Sequence, residues 1–391
     1  MKYNFDKVID RSGTSAEKVE GLKHIWGRTD LIPLWVADMD FATAPFVTDA
    51  IRKRCENEVL GYTGKPDSYY NAIINWVKQR YDLIVTKEVI NFVPGIVPGI
   101  GMAMNCFTQK GDKVMIQPPV YHPFAWVTTR NERTLVINPL RWENGMYRMD
   151  LDAFREQIKG CKLFILCNPH NPGGVVWTEA ELRAIADICY DEKVLVFSDE
   201  IHADLTLPPH THRPFATVSE KARMNSVTFM SPSKAFNMPG LSASHALIFN
   251  EDLRKRFRIY MDAGELDMGH VFAFLSVEAA YSHGTEWLDQ CLAYIQGNID
   301  FVDEFLKKHV PKIKAIRPEA SYLVWLDCRE LELSQKDLNE FFVDKAHLAL
   351  NDGEMFGKEG IGFMRLNVAS PRCIIEKAMK QLADAYQLYI K

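Results

Sequence analysis

The sequence predicts an α/β protein, with a large domain built on a mostly parallel sheet and a smaller α+β domain. Three observations predict it. The chain has 391 residues, more than one hydrophobic core usually holds. Through the middle, short apolar and β-branched runs alternate with segments of helical spacing, the pattern of βαβ units. After about residue 285 the pattern changes to long helices with few strands. The division expected is a large domain at 45–285 and a small domain made of 1–44 plus 286–391, because the first 44 residues are too few to fold alone.

The elements follow in order. VINFV (89–93) reads as a strand and GIVPGIGMAMNCF (95–107) as a loop leading into a helix. DKVMIQ (112–117), TLVINP (134–139) and CKLFILC (161–167) are strands. EAELRAIADICYDE (179–192) has helical spacing, and KVLVFSDEIH (193–202) is a strand running into acids. SVTFM (226–230) and SHALIFN (244–250) are two more strands. In the last third, YLVWLD (322–327) reads as a strand and a final helix starts near 371. No repeat or low-complexity segment interrupts this order.

Bulk composition excludes several function classes. Hydrophobic residues make up 47% and charged residues 25%, as in ordinary globular enzymes. A net charge of −5 gives no electrostatic support to nucleic-acid or anionic-membrane binding. No apolar run is long enough to span a bilayer, and MKYNFDKVID has no signal-like core, so a cytoplasmic setting is expected. The eight cysteines are scattered without a CxxC pair, which fits reduced thiols. His210 and His212, with His202 nearby, lack a third ligand at useful spacing, so no metal site is expected.

The polar clusters lie at strand ends, where open α/β sheets bind ligands. GIVPG, PPVYHP, NPHNPGG, SDEIH and SPSK each follow a strand. Lys234 supplies an amine just past SVTFM, with Ser231 and Ser233 beside it. GIVPG opens a helix, whose free N–H groups and dipole suit a phosphate. Asp199 ends a very apolar strand, where a carboxylate is costly unless it meets a proton or a cation. Asn171 offers an amide and Tyr121 a ring face. Each has a plain alternative alone: a turn lysine, a helix-capping acid, a turn-forming loop, a core tyrosine. Together, an amine, a phosphate cradle, a carboxylate and an aromatic platform match the needs of pyridoxal phosphate.

The ordered set NPHNPGG, SDEIH and S-x-S-K-x-F-N resembles the fold-type I pyridoxal-phosphate enzymes of the aspartate aminotransferase superfamily, over nearly the whole chain. The resemblance implies that Lys234 forms the Schiff base, Asp199 partners the pyridine nitrogen, Asn171 bonds the phenolic oxygen and Tyr121 stacks on the ring. It implies that Ser231, Ser233 and the backbone N–H groups of Ile96 and Val97 hold the phosphate. Tyr62, in GYTG, resembles a tyrosine reaching the phosphate from a second subunit, which implies a homodimer with a shared active site. Arg365, in GFMRLNVASPR, resembles the arginine that clamps the substrate α-carboxylate, a role its planar fork suits.

Two departures narrow the resemblance. The arginine usual eight residues after the lysine is Ser242 here, and the tyrosine usual three residues after the aspartate is His202. Both fit the MalY/PatB-type carbon–sulfur lyases, also called cystathionine β-lyases. YNFDKVIDRSGTSAEK, LIPLWVADMDFATAP, SDEIHADL and SPSKAFNMPGL are similar to that group. The implied reaction is β-elimination from a sulfur-containing amino acid to thiol, pyruvate and ammonia. Lys234 would act as general base, with Tyr121 or Lys234 protonating the sulfur. Trp35, Ala37 and Tyr322 are candidates to line the substrate, with core packing standing beside this for Trp35. Two other readings stay open: an aminotransferase of aromatic or broad range, and an added regulatory protein-binding role.

Overall fold

The computed structural model describes residues 2–389. Seven strands form one sheet: β1 (Ile90–Val93), β2 (Lys113–Ile116), β3 (Thr134–Ile137), β4 (Cys161–Cys167), β5 (Leu195–Asp199), β6 (Ser226–Met230) and β7 (Ser244–Leu247). Their spatial order is β1-β7-β6-β5-β4-β2-β3. From β6 to β3 neighbours run parallel, and β7 alone runs against both its partners. Residues of β1 and β6 are buried throughout, so these strands do not alternate between exposed and buried positions. The large, mostly parallel sheet expected is therefore present, with all seven of its predicted strands.

Two helices show how local sequence sets the scaffold. Helix α1 (Ile96–Phe107) starts at Gly95, whose φ of 131° no side chain adopts readily. No side chain caps it, and Pro98 has no N–H, so the N–H groups of Ile96 and Val97 point out of the helix start without an intrahelical acceptor. Helix α2 (Glu179–Asp191) opens on a capping box between Thr178 and Glu181.

The second sheet is four-stranded and antiparallel: β8 (Lys314–Ile316), β9 (Leu323–Asp327), β10 (Asn351–Asp352) and β11 (Phe363–Asn367), in the order β8-β9-β11-β10. Only β9 is apparent from sequence pattern. The other three are short or lie in mixed sequence, and cross-strand partners define them. Helix α3 (Thr285–His309) and helix α4 (Arg372–Tyr389) cover this part of the chain. The N-terminal segment packs here too. Ile32–Pro33 pairs in parallel with Leu348–Ala349, and Phe5 sits 5.6 Å from Trp287 and 5.5 Å from Tyr294, ring to ring.

Gly174 joins the two parts. It has φ +69°, and a Cβ there would lie 2.5 Å from Pro318 Cβ. Glu319 N–H donates to its carbonyl at 2.8 Å.

Candidate active site

Strand register aligns the loops that carry chemistry. Asp199, the last residue of β5, is level with Cys167 at the end of β4 and with Phe229 in β6. The loops after these strands therefore emerge at one edge. A cavity of about 200 Å³ lies there, lined by Ala37, Ile96, Val97, Tyr121, Asn171, Asp199, His202, Ser233 and Lys234, among others.

Lys234 donates from Nζ to the Ala37 carbonyl at 2.6 Å. Burial lowers its pKa to about 8, and the Arg365 charge adds to this, while Asp38 and Asp199 oppose it. Asp199 moves the other way. Burial raises its pKa to about 7, with Glu200 adding, against the Ile201 N–H bond (3.1 Å) and the Lys234 charge. A carboxylate held this way gains most from a protonated nitrogen placed beside it.

Arg365, on β11, is 4% exposed, and its hydrogen bonds go to neutral acceptors. Nη1 donates to Asn171 Oδ1 at 3.1 Å, and Nη2 donates to the Trp35 carbonyl at 3.1 Å and to Asn351 Oδ1. Nε is buried without a partner, and the guanidinium lies 4.8 Å from the Phe356 ring centre. Burial pulls its pKa down to about 10. A carboxylate ligand would supply the missing counter-charge.

His202 lines the cavity with Nδ1 buried and unpartnered. Burial, then the Lys234 and Arg365 charges, lowers its pKa to about 3, so the ring is neutral. The Tyr121 phenol is held protonated, by burial and by Asp199. Tyr322 is fully buried, with its hydroxyl donating to the Ala37 carbonyl at 2.9 Å.

Some predicted residues stand elsewhere. Ser231 donates its hydroxyl to the Ala243 carbonyl at 2.7 Å and accepts from Ser233 N–H at 3.1 Å, so it closes the lysine loop while Ser233 lines the cavity. The Trp35 ring packs edge-on against Trp26 at 5.4 Å and donates to the Lys18 carbonyl. It lines a separate cavity of about 420 Å³, and only its carbonyl meets Arg365. Tyr62 is 98% exposed and outside the cavity. Ser242 sits in a left-handed turn (φ 47°). Lys234 is the one Lys or Arg side chain lining the cavity among the described residues.

Sequence reasoning missed several supports. Glu200 is buried and accepts from Ser198 Oγ, Phe215 N–H and His212 Nε2, each at 2.8 Å. This accounts for His212, and no group of three potential metal-ligating residues occurs among the described residues. Asn351, at Arg365, lies in no motif, while Asn237 and Asn367 lie within SPSKAFNMPGL and GFMRLNVASPR, stretches whose sequence does not reveal their bonds to the 36–41 backbone.

The pieces fit pyridoxal phosphate: an uncapped helix start, a buried acid lacking a cation, an unpartnered histidine nitrogen and an amine share one cavity. The family model of aminotransferase class I and II matches residues 29–382, and the chain belongs to that family. Within it, the chain is 38% identical over 384 residues to cystathionine beta-lyase PatB of Bacillus subtilis, covering 98% of this chain and 99% of that one. The fold superposes on cystalysin of Treponema denticola, a structure containing pyridoxal 5'-phosphate, with a TM-score of 0.96, 33% identity and full coverage of both chains. It also matches the pyridoxal-phosphate-bound C–S lyase of Staphylococcus hominis, with a TM-score of 0.91, 35% identity and coverage of 99% and 98%.

Proposed function

We propose that this protein is a pyridoxal-phosphate-dependent carbon–sulfur β-lyase that takes an L-amino acid bearing sulfur on Cβ, such as cystathionine, to thiol, pyruvate and ammonia. The observation that carries this reading is the buried Lys234 amine, flanked by an unpaired acid, Asp199, and an arginine lacking a carboxylate, Arg365. The names of full-length relatives support the sulfur substrate.

Bound pyridoxal phosphate supplies an electron sink for the carbanion formed at the substrate Cα. Arg365 holds the α-carboxylate, with one guanidinium edge already aimed by Trp35 and Asn351, and Asn171, which accepts from Arg365, would bond the cofactor's phenolic oxygen. Lys234, with its lowered pKa, removes the Cα proton as a neutral amine. Asp199 would keep the cofactor's ring nitrogen protonated. Tyr121, a neutral phenol, would cover the ring and donate a proton to the departing sulfur. Ile96 and Val97 N–H groups and Ser233 would hold the phosphate, with Ser231 bracing Ser233. His202, whose Nδ1 lacks a partner, would face the cofactor. Ala37 and Tyr322 border the amine, and Trp35 contributes its carbonyl.

We assign Tyr62 to the site of a second copy. Its ring is almost wholly exposed, beside exposed Val59 and Leu60, which fits burial in a homodimer. The division at 45–285 against 1–44 plus 286–391 fits the two sheets. A reducing, cytoplasmic setting fits eight free cysteines.

The family match also covers aminotransferases. Incubation with L-cystathionine and no keto acid separates the two. Equal release of thiol and pyruvate supports the lyase. A keto acid formed only when a second keto acid is supplied overturns it in favour of transamination.

A further inference from the structure

Several side chains converge on the carbonyls of the segment from Trp35 to Phe41, and Asp40 N–H donates to Ala369 O at 2.8 Å. Arg365 takes Trp35 O at 3.1 Å. Asn367 Nδ2 donates to Val36 O and Asp38 O, each at 2.7 Å. Asn237 Nδ2 donates to Met39 O at 3.0 Å and Phe41 O at 2.7 Å, while its Oδ1 accepts from Met39 N–H at 3.0 Å. Between these clamps, Ala37 O receives both Lys234 and Tyr322.

The other side of the same turn carries a four-member ion cluster. Arg11 contacts Asp38 at 2.6 Å and Asp40 at 3.2 Å. Lys18 Nζ contacts Asp40 at 2.8 Å, Asp38 Oδ1 at 3.6 Å and Asp38 O at 3.2 Å, with the lysine side chain wholly buried. A buried amine tolerates that only with paired acids. The cluster thus fixes Asp38, the residue directly after the Lys234 acceptor.

We propose that Arg11, Lys18, Asp38 and Asp40 form a positioning cluster for Lys234, setting both the place of the Ala37 carbonyl and the net charge behind it. This rests on the reading of Lys234 as the reacting amine. Asp38 favours the ammonium form of Lys234, and Arg11 neutralises Asp38. The other groups facing the amine are Asp199 and His202 at the end of β5, Arg365 on β11, Tyr322 before β9 and Tyr121 after β2. They stay constant in the comparison below.

The test is the rate at which cofactor-free, full-length protein develops its visible absorption band on adding pyridoxal phosphate, measured from pH 6 to 10. No turnover is involved. Arg11→Met should move the midpoint up by about half a pH unit or more, and Asp38→Asn should move it down by a similar amount. Arg11→Lys should restore the wild-type profile. Opposite shifts support the cluster. Unmoved midpoints, or shifts of the same sign, leave only a structural brace and overturn the proposal. Arg11 is partly exposed, so the Arg11→Met and Arg11→Lys pair decides the matter even if Asp38→Asn fails to fold. No band in the wild type overturns the lysine assignment itself, and this inference with it.

Discussion

Lys234 Nζ lies 2.6 Å from the carbonyl oxygen of Ala37, a residue 197 positions earlier in the chain. That contact fixes the amine where the Asp199 and Arg365 charges both act on it. A side chain with four rotatable bonds would otherwise sample much of the cavity. The contact ties the Trp35–Phe41 segment to the lysine loop.

Replacing Lys234 by Ala should lower thiol release by several orders of magnitude, since covalent and proton-transfer roles are lost together. The fold should survive, because the change removes a buried amine that pays a desolvation cost. Turnover and a thermal scan of the same preparation check both halves.

Asp199→Asn should separate stability from activity. In cofactor-free protein the Asp199 carboxyl has its pKa raised from 3.8 to about 7. The native state then binds the extra proton between these values, so this group's contribution to stability is present below about pH 4 and is lost as pH rises to about 7. Asparagine has no such loss. The variant should be more stable than wild type at pH 7–8, by about 2–4 kcal/mol. Denaturant unfolding at pH 4 and pH 8 measures the difference, and activity should fall sharply.

Arg365→Met should raise KM and lower kcat/KM for amino-acid substrates by about 100-fold or more, with cofactor uptake kept. Arg365→Lys should recover little, because an ammonium cannot bind a carboxylate bidentately. Steady-state kinetics set beside the visible band distinguish a substrate defect from a cofactor defect.

His212→Ala should cost about 1–3 kcal/mol of stability by leaving buried Glu200 one donor short. A thermal scan at neutral pH checks it. Equal stability of variant and wild type would show that Glu200 is satisfied by Ser198 and Phe215 alone.

The fold was legible where the signal is local. Seven apolar runs stood out, most of them because central strands of a covered sheet are buried on both faces, while edge strand β3 showed only as a short β-branched run. Strands β8, β10 and β11 did not, since their two to five residues are defined by their partners. The same division holds within the site. Lys234, Asp199, Asn171 and Tyr121 sit at strand ends and carry motif spacing. Asn367 and Asn237 act by hydrogen bonds to distant backbone, and Asn351 by one to the Arg365 guanidinium, which leaves no periodicity to read.

The sequence by itself determined the alternating elements, the placing of chemistry at strand ends, and the amine, acid and arginine available to one cofactor site. Tertiary structure decided where side chains point. It turned the Trp35 ring toward Trp26, spent the Ser231 hydroxyl on Ala243, and brought Arg365 to Asn171 across 194 residues. Motif spacing encodes local backbone geometry. Contacts between the two sheets depend on how the whole chain packs, and only the folded molecule specifies them.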